Sequence, residues 1–177
     1  EEAELPPAIS EPRRLSLLAR LILRRPDAPA TVDQALALAR ELARLLDLAH
    51  TERCGLDKLA TLAPEQYAQH WQVTLQFLSV LTEHWPKILE DEDAIDPARR
   101  RDLLLGQLAA RWRAAPPKGP VLIAGSTGSV KATAGLTLVV AGLPLGAVIL
   151  PGFDRTGLEA DRAAIAVNNS SFRRVSA

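Results

Sequence analysis

Apolar residues in the first 115 positions recur at steps of three and four, the spacing that places them on one face of an α-helix. The first such run predicts a helix from Pro12 to Arg25. A second helix is predicted to begin at Thr31 and Gln34, which have the form of a capping box, and to end before Gly55. The predicted buried faces are Leu15, Leu18 and Ile22 in the first helix, with Leu17 and Leu21 beside them, and Leu38, Leu42, Leu45 and Leu46 in the second.

A third and longer helix is predicted to begin at Pro64 and Glu65, and Pro86 is expected to kink it or to end its regular part. The acidic turn EDEDAIDP follows. Asp96 and Pro97 then form a favourable N-cap and first position for a fourth helix. The positions that define these helices are Tyr67, Trp71, Leu75, Leu78, Leu81 and Trp85 in the third, and Leu104, Leu108 and Trp112 in the fourth.

The pattern changes after Pro116 and Pro117. VLIAG and GAVILPG are short apolar runs bounded by turn residues, which predicts two buried strands, and residues 130–142 between them have a helical pattern. A strand–helix–strand unit usually has parallel strands. Because two strands do not form a stable sheet alone, either more strands lie outside this sequence or the helices cover the pair.

The sequence therefore predicts an α/β protein that is predominantly helical, with a helical bundle followed by a partial β-α-β unit. The predicted parts are a linker at residues 1–12, a helical subdomain at 13–115, a partial α/β core at 119–154 and a tail at 155–177. Because the chain begins with Glu1 and contains no methionine, we expect it to be a fragment of a longer protein.

The charge balance excludes a global basic field, because 21 Lys and Arg residues offset 21 Asp and Glu residues. Any contact with nucleic acid would have to be a local patch. No apolar run is long enough to span a bilayer. A single cysteine, Cys54, rules out an internal disulfide and a four-cysteine metal site, and it is consistent with a reducing, cytoplasmic compartment.

The segment GSTGSVKA, residues 125–132, matches the phosphate-binding P-loop only in part. That motif, G-x-x-x-x-G-K-[ST], needs glycines for the phosphates, a lysine for their charge and a hydroxyl for magnesium. Gly125 and Lys131 fit the motif. Val130 stands at the second glycine and Ala132 at the hydroxyl, so the segment does not predict nucleotide binding.

The Gly125–Ser129 loop has two alternative interpretations, one structural and one functional. The glycine after the strand permits a tight turn, and Ser126, Thr127 or Ser129 is expected to cap the following helix. Alternatively, the helix N-terminus holds an anion, as in an anion-binding enzyme with a deep pocket at this loop.

No other pattern predicts an active site. His50, His70 and His84 lack the spacing of a metal site, and each is interpreted as a surface or satisfied histidine. The acidic residues 90–93 lack the glycine of a calcium loop. Cys54 has no partner pattern of a thiol enzyme, and no G-x-S-x-G motif occurs. The sequence therefore predicts no catalytic, cofactor-binding or metal-binding residue.

Two surfaces keep alternative interpretations. The tryptophans and tyrosine of the third helix are interpreted as core residues, with base stacking as the alternative. The run Arg99–Arg101 lies in a first helical turn, where the helix dipole disfavours cations. It is interpreted as a solvated face, with a phosphate or acidic partner as the alternative.

Three stretches carry a family resemblance: LPPAISEPRRLSLLARLI, the segment from HWQVTLQF to VLIAGSTGS, and GAVILPGFD. Together they resemble the B subunit of the AddAB helicase–nucleases in its alphaproteobacterial form, from about Leu5 to Asp154. Two parts depart from that pattern. SVKATAGLTLVVAGL lacks a proline expected near Lys131, and the tail after Asp154 does not resemble the family.

The resemblance implies a part in repairing DNA double-strand breaks, in a parent complex that is an ATP-dependent helicase and exonuclease with an AddA partner. It also implies a superfamily 1 helicase-like fold that has lost its ATPase motifs. Ala124 and Gly125 stand where an active helicase carries Asp-Glu, so nothing holds magnesium or positions water. The preceding helices would be the inserted helical subdomain. The family's nuclease domain and iron–sulfur cysteines are absent from this sequence, so no catalytic residue or cofactor is expected in it.

We therefore expect a non-catalytic helicase-like portion of a repair subunit, which scaffolds the DNA channel and an AddA-type motor subunit. No membrane partner is expected. DNA would be contacted through the parent complex. The alternative is a stand-alone helical protein-interaction module without DNA binding. The first hypothesis predicts a basic groove and additional strands, whereas the second predicts a self-contained core and an exposed apolar patch.

Overall fold

The computed structural model describes residues 5–25, 31–55, 78 and 80–151. These residues belong to two compact units, of which unit 1 comprises residues 1–107 with 130–132 and unit 2 comprises residues 108–129 with 133–177. The described part of unit 1 is helical, whereas that of unit 2 contains a pair of parallel strands. The predicted fold class, predominantly helical with a small β-α-β unit, is confirmed at this level.

Helices form most of the described part of unit 1. Helix α1 spans Glu11–Leu23 and α2 spans Val32–Thr51. A short π-helical turn, Val80–His84, leads directly into α3, Trp85–Asp91. Helix α4, Pro97–Ala114, begins in unit 1 and continues into unit 2. Most of the predicted third helix, including Tyr67, Trp71 and Leu75, lies outside the described residues.

The predicted helix starts have the expected local causes. Thr31 Oγ1 accepts a hydrogen bond of 3.3 Å from the Gln34 backbone N–H, so the N-cap of α2 is confirmed. Pro86 was predicted to kink the third helix or to end its regular part, but the regular α-helix instead begins one residue before it, after the π-helical turn. At this position its missing amide costs no intrahelical hydrogen bond. Helix α4 begins at Pro97, as predicted.

The packing of α1 against α2 depends on alanines as well as leucines. Helix α2 buries four alanines between its leucines, and small side chains let the two helices approach closely. The prediction that Leu38 is buried is wrong, since 38% of it is exposed, and Leu45 is only partly buried. The buried apolar residues of the two helices are Leu17, Leu18, Ala19, Ile22, Ala35, Ala39, Leu42, Ala43, Leu46 and Ala49.

The predicted linker at residues 1–12 contains a segment that is held in place. The Ile9 backbone N–H donates to the Ile95 carbonyl and the Ile95 N–H donates to the Pro7 carbonyl, both at 3.0 Å. Only 5% of Ile9 is exposed. Residues 7–9 therefore form a short parallel bridge with the segment just before α4 and contribute to the core of unit 1.

Unit 2 contains a strand–helix–strand unit. Strand β1 is Val121–Ala124, helix α5 is Lys131–Ala141 and strand β2 is Gly146–Ile149. The two strands pair in parallel, with Val121 opposite Gly146. The predicted parallel arrangement is confirmed.

The prediction that both strands are buried is wrong, because their residues alternate between partly buried and exposed. Leu122 is 61% exposed and Ile149 is 56% exposed. Leu122 pairs with Ala147 and Ala124 pairs with Ile149, so these four residues lie on one face of the sheet. That face is apolar and open.

The C-terminal part of α4 also differs from its predicted packing. Leu104 is 41% exposed, while Leu108 and Trp112 are partly buried. The buried apolar residues of this helix are the small Ala98 and Ala109.

Within the described ranges, we find no helix that combines the length and the apolar character needed to cross a bilayer.

Candidate functional site

The Gly125–Ser129 loop follows β1 and closes on itself. Gly125 and Gly128 have φ angles of 74° and 67°, a left-handed backbone that favours glycine. Ser126 Oγ accepts from the Gly128 backbone N–H, and Thr127 Oγ1 donates to Ser129 Oγ, both at 3.3 Å. Among the described residues none of these hydroxyls caps an amide of α5, so the predicted capping role is wrong while the tight turn is confirmed.

Lys131, the lysine of the partial P-loop match, belongs to unit 1 and contacts Glu52 of the same unit. Its Nζ donates to the Glu52 carbonyl oxygen and lies 3.8 Å from the Glu52 carboxylate. Residues 124–131 contain no carboxylate. This segment therefore has neither the glycine spacing nor the free cation that a phosphate cradle requires.

The three arginines at the start of α4 differ in their contacts. Arg100 Nε donates to the Pro6 carbonyl at 2.9 Å, and Arg101 Nη2 donates to Thr51 Oγ1 at 3.2 Å. Arg99 is exposed and has no hydrogen bond or ion pair with the residues that the structure describes. Two of the arginines therefore support the fold, and Arg99 presents its charge to solvent.

Unit 1 contains a buried ion pair between Arg14 and Asp96. Each residue is only 1% exposed. Arg14 Nε and Asp96 Oδ1 are 3.1 Å apart, but these two atoms are not aligned for a hydrogen bond. The guanidinium also donates to both carboxylate oxygens of Asp47, at 3.1 and 2.9 Å, and to the Ala43 carbonyl at 3.2 Å. One α1 cation thus connects α2 to the start of α4.

The other carboxylate oxygen of Asp96 collects two donors. Trp85 Nε1 donates to Oδ2 at 3.0 Å, and His50 Nε2 lies 3.3 Å from the same oxygen. Asp96 therefore joins residues from α1, α2 and α3 at the N-terminus of α4. His50, predicted to be a surface or satisfied histidine, is partly exposed and bonded to Asp96. Neither carboxylate oxygen of Asp96 accepts from an amide of α4 among the described residues, so the prediction that its side chain caps this helix is wrong.

Sequence reasoning did not find this network, although one signal is present. Arg14 precedes Leu18 and Ile22 at steps of four, so it lies on the buried stripe of α1. A cation on an apolar stripe requires a buried anion, because an uncompensated charge is costly to remove from water. The sequence does not say which of the 21 acidic residues supplies it.

The environment of Asp96 favours its ionised form. Burial raises the pKa of Asp96, but hydrogen bonds from His50 and Trp85 and the charge of Arg14 together lower it below the ordinary value of 3.8. Asp96 takes up its proton at a higher pH in the unfolded chain than in the folded one. Its carboxylate therefore stabilises the fold at pH values above its ordinary pKa of 3.8. That stabilisation is lost as the pH falls through the folded pKa.

We expect acid to weaken wild-type unit 1 more than the Asp96→Asn variant as the pH falls from about 6 to about 2. Urea denaturation in a Trp112→Phe background restricts the indole emission to residues 1–107 and measures this difference. Glu92, whose pKa is lowered chiefly by its hydrogen bond from Arg13, leaves a residual slope in the variant. Parallel pH curves for wild type and variant would show that Asp96 has no linked titration.

A cleft of about 420 Å³ opens beside this network, between the C-terminus of α2, the π-helical turn with α3, and the start of α4. A second cleft of about 250 Å³ adjoins it and shares several lining residues. The residues common to both are Ala49, His50, Cys54, Gly55 and Arg99. The clefts give unit 1 a concave surface with polar groups at one side.

The other histidine, cysteine and acidic residues considered from the sequence are exposed or make local contacts. His84 is exposed, and the Cys54 thiol lies 3.5 Å from the Glu52 carbonyl. Glu92 pairs with Arg13, while the other acidic residues of 90–93 are exposed. No three His, Cys, Asp or Glu side chains are placed to hold a metal within the described ranges. His70 lies outside those ranges.

No family model, curated protein or solved structure matches this chain. The geometry of the two units is therefore the basis for a functional proposal.

Proposed function

We propose that this chain is a non-catalytic, helicase-like portion of a DNA double-strand break repair subunit of the AddB type. It scaffolds the DNA channel and an AddA-type motor subunit within a cytoplasmic complex. The observation that carries the proposal is the parallel β-α-β unit, whose first strand leads into a Gly-Ser-Thr loop without a carboxylate.

Nucleotide hydrolysis requires an acidic group for magnesium and for water at the ends of such strands. Ala124 and Gly125 occupy this place after β1, and Leu150 and Pro151 follow β2. The hydroxyls of the loop bond to the loop itself, and Lys131 is engaged by Glu52. These features support a helicase-like architecture that serves as a scaffold and not as a motor.

The open face of the sheet supports a larger assembly. Parallel sheets are normally covered on both faces. Here Leu122, Ala124, Ala147 and Ile149 form an apolar face, of which Leu122 and Ile149 are more than half exposed. Under this proposal, further elements of the parent subunit or the motor subunit cover that face.

The test is binding of the chain to a short forked DNA across a salt series. We expect saturable binding. The logarithm of the association constant should fall linearly with the logarithm of the salt concentration. Replacing Arg99, Arg100 and Arg101 together by glutamine should reduce that slope by about one for each arginine that contacts a phosphate. Fluorescence anisotropy of labelled DNA measures both quantities.

Arg44→Gln is the matched control, because Arg44 is exposed and already paired with Glu41 on α2. It should leave the salt slope unchanged. Absence of DNA binding at low salt would overturn the DNA-channel role and favour a protein-interaction module. Failure to co-elute with an AddA-type subunit would overturn the scaffolding role.

A further inference from the structure

The larger cleft of unit 1 has one polar side and otherwise apolar walls. Its apolar walls come from Leu46, Leu81, Trp85, Pro86 and Leu89, among the described residues. The volume of about 420 Å³ lies within the range of pockets that hold small molecules, about 300 to 1,000 Å³. A ligand of this size would bury a hydrocarbon or aromatic body against these walls.

His50 enters the cleft in a fixed orientation. Its Nε2 lies 3.3 Å from Asp96 Oδ2, which also accepts from Trp85 Nε1, while Asp96 Oδ1 lies 3.1 Å from Arg14 Nε. A carboxylate acceptor places a proton on Nε2. His50 Nδ1 makes no hydrogen bond with the residues that the structure describes, and 27% of the side chain is exposed. Nδ1 is therefore an open hydrogen-bond acceptor, so the ligand carboxylate takes its hydrogen bonds from Arg99 and not from this ring.

Arg99 supplies the charge of the cleft. Asp96 pairs with Arg14, which also pairs with Asp47, and Arg53 Nε pairs with Asp102 at 2.9 Å at the side of the adjoining cleft. Arg99 lines both clefts and has no counter-ion among the described residues. Since a single cation is uncompensated, a singly charged anion suits this surface better than a phosphate dianion.

We propose that the cleft binds a small monocarboxylate with an apolar body. The carboxylate pairs with the Arg99 guanidinium beside His50, and the body packs against Leu81, Pro86 and Leu89. Arginine favours this partner because its planar donors match the two oxygens of a carboxylate. Arg99 is also one of the three arginines of the DNA-binding test, but this proposal goes beyond that function because its ligand is a small carboxylate and not a phosphate of DNA.

The probe is 4-phenylbutyrate, titrated into the uniformly ¹⁵N-labelled full chain. The reporter is the indole N–H of Trp85, which donates to Asp96 next to the cleft. It is assigned by removing the other two indole signals with Trp71→Phe and Trp112→Phe. We expect a saturable shift of this signal, and Arg99→Gln should raise the Kd by about tenfold or more.

Two sets of controls make the result specific. Arg111→Gln, on the same helix, should leave the Kd unchanged. The neutral amide 4-phenylbutyramide and the short anion acetate should each bind about tenfold more weakly than the probe, because each lacks one of the two required parts. Equal binding of the amide, an unchanged Kd in Arg99→Gln, or no saturable shift would each overturn the proposal.

Discussion

Replacing Asp96 with alanine should destabilise unit 1 by about 3 to 5 kcal/mol, the cost of breaking a buried ion pair by removing one partner. Arg14 would keep Asp47, but its Nε would face no anion at a position only 1% exposed. The buried Trp85 indole N–H would also lose its acceptor. Urea denaturation in the Trp112→Phe background measures the change in unfolding free energy.

Asp102→Ala is the matched control, because it removes the anion of an Arg–Asp pair at the surface. Arg53 Nε and Asp102 Oδ1 are 2.9 Å apart, and the Arg53 side chain is 49% exposed. Such pairs contribute about 0 to 1 kcal/mol, so this variant should remain near wild type. Equal losses in the two variants would refute the special role that we assign to Asp96.

Gly146→Ala should destabilise unit 2 by about 3 kcal/mol, because the added Cβ has no room. It would overlap the Val140 carbonyl oxygen and approach the Leu143 Cβ at 3.0 Å. The obstacle is mostly backbone, so the turn between α5 and β2 must move. Hydrogen exchange should accelerate at the Val121 and Gly125 amides, which bond to carbonyls at the two ends of β2.

Gly135→Ala provides the opposite expectation in the same unit. Gly135 lies inside α5, and a Cβ at this position meets no atom within 4 Å. Replacing a helical glycine with alanine stabilises a helix by about 0.5 to 1 kcal/mol. Hydrogen exchange at the Val121 and Gly125 amides should therefore be as slow as in wild type or slower. If Gly146→Ala exchanged as slowly as wild type, the close approach of α5 and β2 would be wrong.

Local patterns were sufficient to predict the starts of α2 and α4 and the strand–helix–strand order of unit 2. The Thr31 cap on Gln34 acts within one helical turn, and Pro97 has a backbone suited to the first helical position, so both signals are present in a short window. The parallel strand pair was also predictable, because a helix between two strands favours that connection. The helicase-like function remains a prediction.

The burial of particular side chains was less predictable. Leu38 and Leu104 are exposed although they fit helical spacing, because alanines such as Ala39 and Ala109 occupy the contact surfaces. Periodicity indicates that a helix has an apolar face, but it does not fix where that face is centred. The strands were predicted as buried from the same kind of signal, and one of their faces is open.

The sequence by itself determined the helical character of unit 1, the β-α-β order of unit 2 and the failure of the P-loop match at Val130 and Ala132. These features depend on residues that are close in the chain. Only the tertiary structure decided that Arg14 meets Asp96, 82 residues away, and that His50 and Arg99 share a cleft. Such pairings depend on how helices pack, and the energy of a buried charge depends on every neighbour that packing brings to it.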